Sequence, residues 1–260
     1  MAKKVAFTED QINKITDLYL SGKSANKIGK LFGVSHTVIT RIMNKKGLKR
    51  TYQESLDAAR LSCNHDFFSC IDSEAKAYWL GFLYADGNVS DSKQPSLQIC
   101  LSEKDSAHLE VFNKTLESEY NVGHYNYKNP VCQLRIPSPQ MVKDLINLGC
   151  GPRKTFQIKP PTEQQVPNHL TRHFLRGYID GDGCFTKTNA LVILGTEEFI
   201  FWAGQQMPFE HRANPRPTKN IFRICLSYRS EHRHKALIKY LYDDATVYLE
   251  RKYNKACVLL

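Results

Sequence analysis

An internal duplication constrains this chain more than any other feature of its sequence. The two copies of the duplicated segment read AYWLGFLYADGNV (residues 77–89) and HFLRGYIDGDGCF (residues 173–185). A basic residue follows each copy at a nearly equal distance: Lys154 lies 68 residues after Asp86, and Lys252 lies 70 residues after Asp182. Two landmarks at matched spacing indicate that the body of the chain consists of two related halves.

Between these landmarks, each half predicts the order helix, strands, helix, strands, helix. The clearest strands are SLQICLS (96–102), VCQLRI (131–136) and IFRICLS (221–227). Apolar and polar residues alternate in each of them, which predicts one face packed on helices and one polar face able to lie against a nucleic acid duplex. The residues expected to read DNA from these faces are Gln98, Gln133, Arg135, Arg223 and Ser227.

Small residues four positions apart predict that the two duplicated helices pack on each other. Gly81 and Ala85 leave one face of the first helix bare, and Gly177 and Gly181 do the same on the second. Two such faces allow close approach of the backbones. The C-termini of both helices would then lie at the same place.

This pairing would bring Asp86 and Asp182 side by side at two negatively polarised helix ends. Gly87 and Gly183 follow them and are expected to adopt the left-handed conformation that ends many helices. Neighbouring carboxylates repel each other and favour a cation, and oxygen ligands of this kind suit Mg²⁺ completed by water and phosphate. The pattern therefore predicts metal-dependent hydrolysis of a phosphodiester. The alternative, Asp-Gly as ordinary turn chemistry after a core helix, is disfavoured by its recurrence on both helices.

Positive charge is concentrated at the N-terminus. Residues 1–50 hold 11 Lys and Arg but only 3 Asp and Glu, whereas the whole chain has a formal net charge of +10. A basic module of this kind favours a polyanionic partner, nucleic acid before membrane. A basic face that only aids solubility is the alternative.

Residues 8–46 predict three short helices with helix-turn-helix spacing. Ser24 and Ser35 are candidate N-caps of the second and third helices, with a turn at Gly33. Polar residues near the start of the third helix are expected to touch base edges, and basic residues beyond it to touch phosphates. These DNA-binding candidates are His36, Thr37, Thr40 and Arg41, then Lys45, Lys46, Lys49 and Arg50. A three-helix packing unit without a ligand is the alternative.

The duplicated segments resemble the motif of the LAGLIDADG homing endonucleases, in the monomeric form with two motif copies. The motif maps onto residues 79–87 and 175–183, and the second copy is the closer match. The first copy departs from the family at Tyr84, where the family has its earlier Asp. The metal-binding acid of the family, at the eighth motif position, corresponds to Asp86 and to Asp182.

The resemblance implies an α+β fold: two pseudo-symmetric αββαββα halves with saddle-shaped antiparallel sheets, preceded here by a small all-α helix-turn-helix domain. The expected boundaries are 1–50 for the helix-turn-helix module, 51–72 for a linker, 73–168 for the first half and 169–260 for the second. It also implies that Lys154 and Lys252 are catalytic residues that help to position solvent beside Asp86 and Asp182. Ordinary phosphate contact or surface charge is the alternative for these two lysines. A polar residue near the end of the second strand is a further family feature, and Glu103 and Thr196 lie in that region.

These features predict a Mg²⁺-dependent, site-specific double-strand DNA endonuclease of the intron-homing type that leaves short 3′ overhangs. The expected partner is double-stranded DNA with a long asymmetric target site, bound by a monomer. An intracellular location, in cytoplasm or organellar matrix, is expected because no secretory or membrane segment is visible. Two alternatives stay open: a transcription regulator without catalysis on the same scaffold, and an intron RNA splicing helper.

Overall fold

The computed structural model of the protein describes residues 6–59 and 61–257. The chain divides into two compact units, Met1–Leu61 and Ser62–Leu260. In the described residues, no helix is both long enough and apolar enough to cross a membrane.

The first unit is helical, with α1 Glu9–Leu20, α2 Ala25–Leu31, α3 His36–Lys45 and α4 Tyr52–Ala59. A small apolar core holds α1 to α3 together and consists of Ile15, Tyr19, Ile28, Ile39 and Met43. Ser24 caps α2 by accepting a hydrogen bond from the Lys27 amide at 3.2 Å, as predicted. Ser35 occupies the N-cap position of α3, but its side chain makes no capping hydrogen bond there, so that part of the prediction is wrong.

Two motif helices, α5 Glu74–Asp86 and α8 Thr171–Asp182, form the centre of the second unit. Their backbones nearly touch where the sequence places glycine. A Cβ atom on Gly81 would lie 1.9 Å from the Phe174 carbonyl oxygen, and one on Gly177 would lie 1.9 Å from that of Tyr78. The predicted backbone-to-backbone packing is confirmed.

Each motif helix leads directly into a four-stranded antiparallel sheet. The first sheet has the strand order β1-β2-β4-β3 and the second β5-β6-β8-β7. The strands are β1 Gly87–Ser90, β2 Ser96–Ser102, β3 Gly123–Tyr125, β4 Val131–Pro137, β5 Gly183–Phe185, β6 Ala190–Gly195, β7 Arg216–Thr218 and β8 Ile221–Ser227. The two sheets have the same topology because the sequence is duplicated.

The remaining helices are α6 Ser106–Thr115, α7 Pro139–Asn147, α9 Glu197–Gln205, α10 Glu231–Tyr242 and α11 Glu250–Cys257. Helices α6 and α7 pack on the first sheet and α9 packs on the second. They cover the apolar faces that alternation predicted, including buried Leu97 and Ile99 of β2 and Ile224 and Leu226 of β8. The predicted α+β fold with two related halves after an N-terminal helical part is confirmed.

The glycines after the motif helices differ from the prediction. Gly87 has φ −72° and ψ 140°, and Gly183 has φ −80° and ψ 153°, so both are extended rather than left-handed. Each is the first residue of a strand, so the chain passes from helix to sheet without a connecting turn. Glycine is needed for a different reason: a Cβ atom would lie 2.6 Å from the Leu83 carbonyl oxygen at Gly87 and 2.5 Å from that of Ile179 at Gly183.

Candidate active site and nucleic-acid surfaces

Asp86 and Asp182 are the last residues of the paired motif helices. Their proximity follows from the packing of the helix ends: a Cβ atom on Gly181 would lie 2.2 Å from that of Ala85 and 3.3 Å from Oδ2 of Asp86. Both acids sit where helix carbonyl groups point, which is an unfavourable place for negative charge. Close helix packing therefore places two carboxylates at one point, as the sequence predicts.

Protein around the two carboxylates raises the pKa of both, although their tips reach solvent. Partial desolvation is the main cause for Asp86, and repulsion from Asp182 adds to it, so that its pKa rises to about 6. Desolvation also raises the pKa of Asp182. The positive charges of Lys252 and Lys154 oppose these shifts in both cases.

Each motif helix ends against a lysine ammonium group. Lys252, on α11, donates hydrogen bonds to the carbonyl oxygens of Ile179, Gly181 and Gly183 at 2.9, 2.7 and 2.6 Å. Lys154 donates to the carbonyl oxygen of Ala85 at 3.4 Å and also to that of Gly87. Both lysines thus bind carbonyl groups where each motif helix ends and its strand begins, a region in which several carbonyls lack a helical partner. They are held beside the acids without pairing with them directly.

The two halves differ at the earlier acidic position of the motif. In the second half, buried Asp180 accepts hydrogen bonds from the Tyr78 hydroxyl at 2.8 Å and the Leu249 amide at 2.7 Å, and burial raises its pKa to about 6. In the first half, the Tyr84 hydroxyl donates to the Leu148 carbonyl oxygen. Both side chains therefore fix the segment that precedes the lysine of the same half, one as acceptor and the other as donor.

This chemistry fits a divalent cation of the Mg²⁺ type. Across the described residues, neither Asp86 nor Asp182 accepts a hydrogen bond or forms an ion pair, so their oxygens are available as ligands. No cluster of three or more His, Cys, Asp or Glu side chains suited to a metal occurs in the described part of the chain. Two hard oxygen donors with few other protein ligands suit an ion whose shell is completed by water and phosphate.

Comparison with known proteins identifies the fold. No protein-family model and no curated protein sequence matches the chain. A solved structure of the homing endonuclease I-WcaI bound to its DNA recognition sequence matches with a TM-score of 0.50 and 13% identity, over 72% of this chain and 90% of that one. The chain has the LAGLIDADG homing-endonuclease fold.

Two further solved structures match with lower TM-scores. The LAGLIDADG meganuclease I-AabMI, bound to uncleaved DNA, has a TM-score of 0.46 and 15% identity over 70% of this chain and 88% of that one. Full-length DUF199/WhiA from Thermatoga maritima has a TM-score of 0.45 and 15% identity over 75% of this chain and 64% of that one.

In this LAGLIDADG fold, the sheet residues chosen from the sequence lie on the faces opposite the helices. Gln98 faces Arg135 across strands β2 and β4, and Gln133 lies two residues from Arg135 on β4, opposite Cys100. Arg223 and Ser227 are exposed on β8. Arg216, which faces Arg223 across β7 and β8, was not predicted from the sequence. The short strand RPT gives no alternation, and its proline disfavours a strand, so no signal marked Arg216.

The helix-turn-helix candidates on α3 share one exposed face. A groove of about 460 Å³ there is lined by Thr37, Thr40, Arg41, Asn44 and Lys45. His36 and Lys46 are exposed at the two ends of the same helix. Asn44 was missed by the sequence analysis, although it lies four residues after Thr40, a spacing that places it on the same helical face.

Arg50 has a different role from the predicted phosphate contact. Its guanidinium donates to the Lys23 carbonyl oxygen at 2.9 Å and to the Tyr19 carbonyl oxygen, and it lies 3.8 Å from the centre of the Tyr19 ring. These contacts fix the C-terminal end of α1. This structural role was not predicted, because a single sequence does not show which arginines the backbone uses.

Proposed function

We propose that this protein is a metal-dependent, site-specific double-strand DNA endonuclease with a DNA-binding helix-turn-helix module. The observation that carries the proposal is the pair of acid and lysine sets, Asp86 with Lys154 and Asp182 with Lys252, at the adjoining ends of two helices. Two equivalent sets side by side suit cleavage of the two strands of one duplex. The similarity to DNA-bound homing endonuclease I-WcaI supports the same substrate class.

In this mechanism, the carboxylates of Asp86 and Asp182 would hold the metal ions. When bound, Mg²⁺ supplies activation of a water nucleophile and stabilisation of the leaving oxygen. Lys154 and Lys252 keep positive charge beside the phosphates, where negative charge develops in the transition state. The carbonyl groups around each ammonium hold it in place before DNA binds.

The polar sheet faces provide the specificity in this proposal. Side chains such as Gln98, Arg135 and Arg223 offer the donors and acceptors that recognise base edges in the major groove. The exposed face of α3 reads a further segment, and Lys45 and Lys46 contact phosphates next to it. A module present once in the chain binds one flank only, so we expect an asymmetric target. A monomer has all the parts needed for this activity.

A selection experiment tests the proposal. A library of randomised DNA duplexes is bound to the protein in Ca²⁺, which permits binding without cutting, the retained DNA is transferred to Mg²⁺, and the released ends are sequenced. We expect discrete ends with short 3′ overhangs from a defined sequence. Specific retention without released ends would instead favour a transcription regulator, and retention of RNA but not DNA would favour a splicing helper.

Substitution of the two acids tests the assignment of the site. Asp86→Asn or Asp182→Asn should abolish double-strand cutting and leave the Kd for the selected duplex in Ca²⁺ within about threefold, because amides are poor ligands for Mg²⁺. Glu110→Gln, the same chemical change on an exposed face of α6, is the matched control and should cut normally. If both Asp variants cut at near wild-type rates, the active-site assignment is wrong.

A further inference from the structure

An ion pair between the two halves lies directly next to one of the two lysines. Asp105, at the start of α6 in the first half, receives two parallel hydrogen bonds from the Arg251 guanidinium, at 3.0 Å from Nε and 2.9 Å from Nη2. The Asp105 side chain is 8% exposed, and its hydrogen bonds hold the Arg251 guanidinium. Arg251 immediately precedes Lys252 in α11. The pair therefore anchors the first turn of the helix that carries Lys252.

The Asp105 carboxylate is used by this pair and makes no capping hydrogen bond in its own helix. A short helical turn, Glu103–Asp105, leads directly into α6, so Asp105 (φ −103°, ψ 13°) does not have the extended backbone of an ordinary N-cap residue. Thr196 is the N-cap residue of the corresponding helix, α9, in the second half. It does cap its helix, at 3.3 Å from the Phe199 amide, and it also donates to the Ile158 carbonyl oxygen at 2.7 Å. Each half thus holds the lysine segment of the other half through a residue that directly precedes one of its helices, Asp105 before α6 and Thr196 before α9.

The two lysines are consequently supported to different degrees. Lys252 is 8% exposed, lies on a helix and has three carbonyl partners. Lys154 is half-buried and lies in a short turn after Arg153, whose φ of 56° is in the left-handed region. For Arg153, the residue equivalent to Arg251, no hydrogen bond or ion pair is found within the described residues. More contacts therefore fix the position of Lys252 in the second half than that of Lys154 in the first.

We propose that Asp105, acting through Arg251, is a positioning residue that holds Lys252 at the end of the second motif helix. The role of Lys252 in cleavage rests on the proposed function, but its placement by the ion pair does not. Loss of the pair is expected to release the start of α11, to loosen Lys252 from its three carbonyl partners, and to leave Lys154 in place. Cutting of the strand served by Asp182 and Lys252 would then slow, while cutting of the strand served by Asp86 and Lys154 would keep its rate.

Chemical labelling tests the placement without metal, DNA or activity. The full-length protein is reductively methylated with formaldehyde and a borohydride, and the labelling rate of each lysine is followed by mass spectrometry of its peptide. Asp105→Asn and Arg251→Gln should each speed labelling of Lys252 by about threefold or more, because local opening exposes its ammonium group. Labelling of Lys154 in the same samples should not change. Asp105→Glu, which keeps the charge, should restore much of the protection.

Strand-resolved cleavage tests the consequence. On the selected duplex with a different label on each strand, Asp105→Asn should slow one strand by about tenfold, because small displacements of catalytic groups cost large factors in rate. The other strand should keep its rate within about twofold, so nicked DNA accumulates. That slowed strand must be the one that Lys252→Met slows most. Arg251→Gln and the double variant should behave like Asp105→Asn, because two residues that act through each other are not additive.

The matched control is Asp244→Asn, which breaks the exposed Arg172–Asp244 ion pair elsewhere in the second half. It should alter neither the labelling of Lys252 nor the balance between the strands. Unchanged labelling of Lys252 in both pair variants, or equal increases at Lys252 and Lys154, would overturn the proposal. Equal slowing of both strands would also overturn it. A wild-type protein that cuts no DNA would contradict the proposed function alone, because the labelling result still decides the placement.

Discussion

At the scale of single residues, buried His108 links the stability of the second unit to pH. Its ring lies among Tyr78, Trp79 and Phe82, and its Nε2 is 2.9 Å from the Tyr78 hydroxyl. Because that hydroxyl donates to Asp180, His108 must be the donor to Tyr78. Desolvation lowers the pKa of His108 to about 4, against a small opposing effect of the Asp105 charge. The neutral ring is therefore the form that the fold requires.

This pKa shift predicts a loss of stability in acid. Between the ordinary pKa of 6.5 and the folded value of about 4, the unfolded chain binds a proton that the folded chain does not, so stability falls as the pH falls through this range. The loss from this group between pH 8 and pH 5 should be about 2 kcal/mol. Denaturant unfolding at both pH values measures it.

His108→Gln is the control for this prediction, since its amide can still donate to Tyr78 but does not titrate. Asp86 and Asp180 have raised pKa values and act in the opposite direction, so the wild type must be compared with the variant and not judged alone. The two proteins should differ in their pH dependence by the stated amount. Equal pH dependence would show that His108 takes up a proton freely in the folded protein.

At this same scale, the sequence predicted the duplicated site residues but not the partners that tertiary packing gives them. The duplication places an acid and a lysine at corresponding positions in each half, so it identified Asp86, Asp182, Lys154 and Lys252. Asp105 could not be identified in this way, because its partner Arg251 is 146 residues away and nothing near Asp105 in the sequence distinguishes it from a helix cap. Side-chain partners that tertiary packing brings together leave no periodic signal in one sequence.

At the scale of elements, the close packing of α5 and α8 predicts that their glycines cannot be replaced without loss of stability. Gly81→Ala or Gly177→Ala should destabilise the protein by about 3 kcal/mol, because the new methyl group would meet a backbone carbonyl that cannot move independently of its helix. The separation of the helices should also displace Asp86 and Asp182. Thermal and denaturant unfolding measure the loss.

Gly151→Ala is the matched control for these substitutions. A Cβ atom at Gly151 has no neighbour within 4 Å among the described residues, so its effect should lie within about 0.5 kcal/mol. If the motif-helix variants were as stable as this control, α5 and α8 would have to be further apart than described.

The strands show which elements the sequence reveals and which it hides. Alternation identified β2, β4 and β8 because each has seven residues with one buried face. The edge strands β3 and β7 have three residues each, too few for a pattern. The prediction for Gly87 and Gly183 was wrong because a glycine after a helix suggests a left-handed cap, whereas here it makes room for a chain that turns directly into a strand.

At the scale of the whole molecule, duplication gives two similar centres but an uneven distribution of charge. Residues 1–50 have a net charge of +8, residues 51–168 of −3 and residues 169–260 of +5. Phosphate binding should therefore depend strongly on the first unit and on the second half. The salt dependence of DNA affinity measures this, because each neutralised phosphate contributes about −0.9 to the slope of log K against log salt concentration.

Substitution of Lys45 and Lys46 measures how much the first unit contributes to this salt dependence. Replacing both with glutamine should make the slope less negative by about 1.8 and weaken binding to all sequences about equally, because phosphate contacts add affinity without reading bases. Binding of the selected duplex in Ca²⁺ across a salt series gives the slope. Lys114→Gln, on an exposed face of α6, should leave the slope unchanged.

The double variant of Lys45 and Lys46 also distinguishes a role in DNA binding from a role in catalysis. At protein concentrations that saturate the duplex, the double variant should cut both strands at the wild-type rate, because neither lysine lies in the unit that contains Asp86 and Asp182. Its nuclease footprint should shorten on one flank only, since the helical first unit precedes a body whose sequence is duplicated. A footprint that shortens on both flanks, or an unchanged salt slope, would show that α3 does not approach the DNA backbone. Charge in the first unit would then have to act through a different surface.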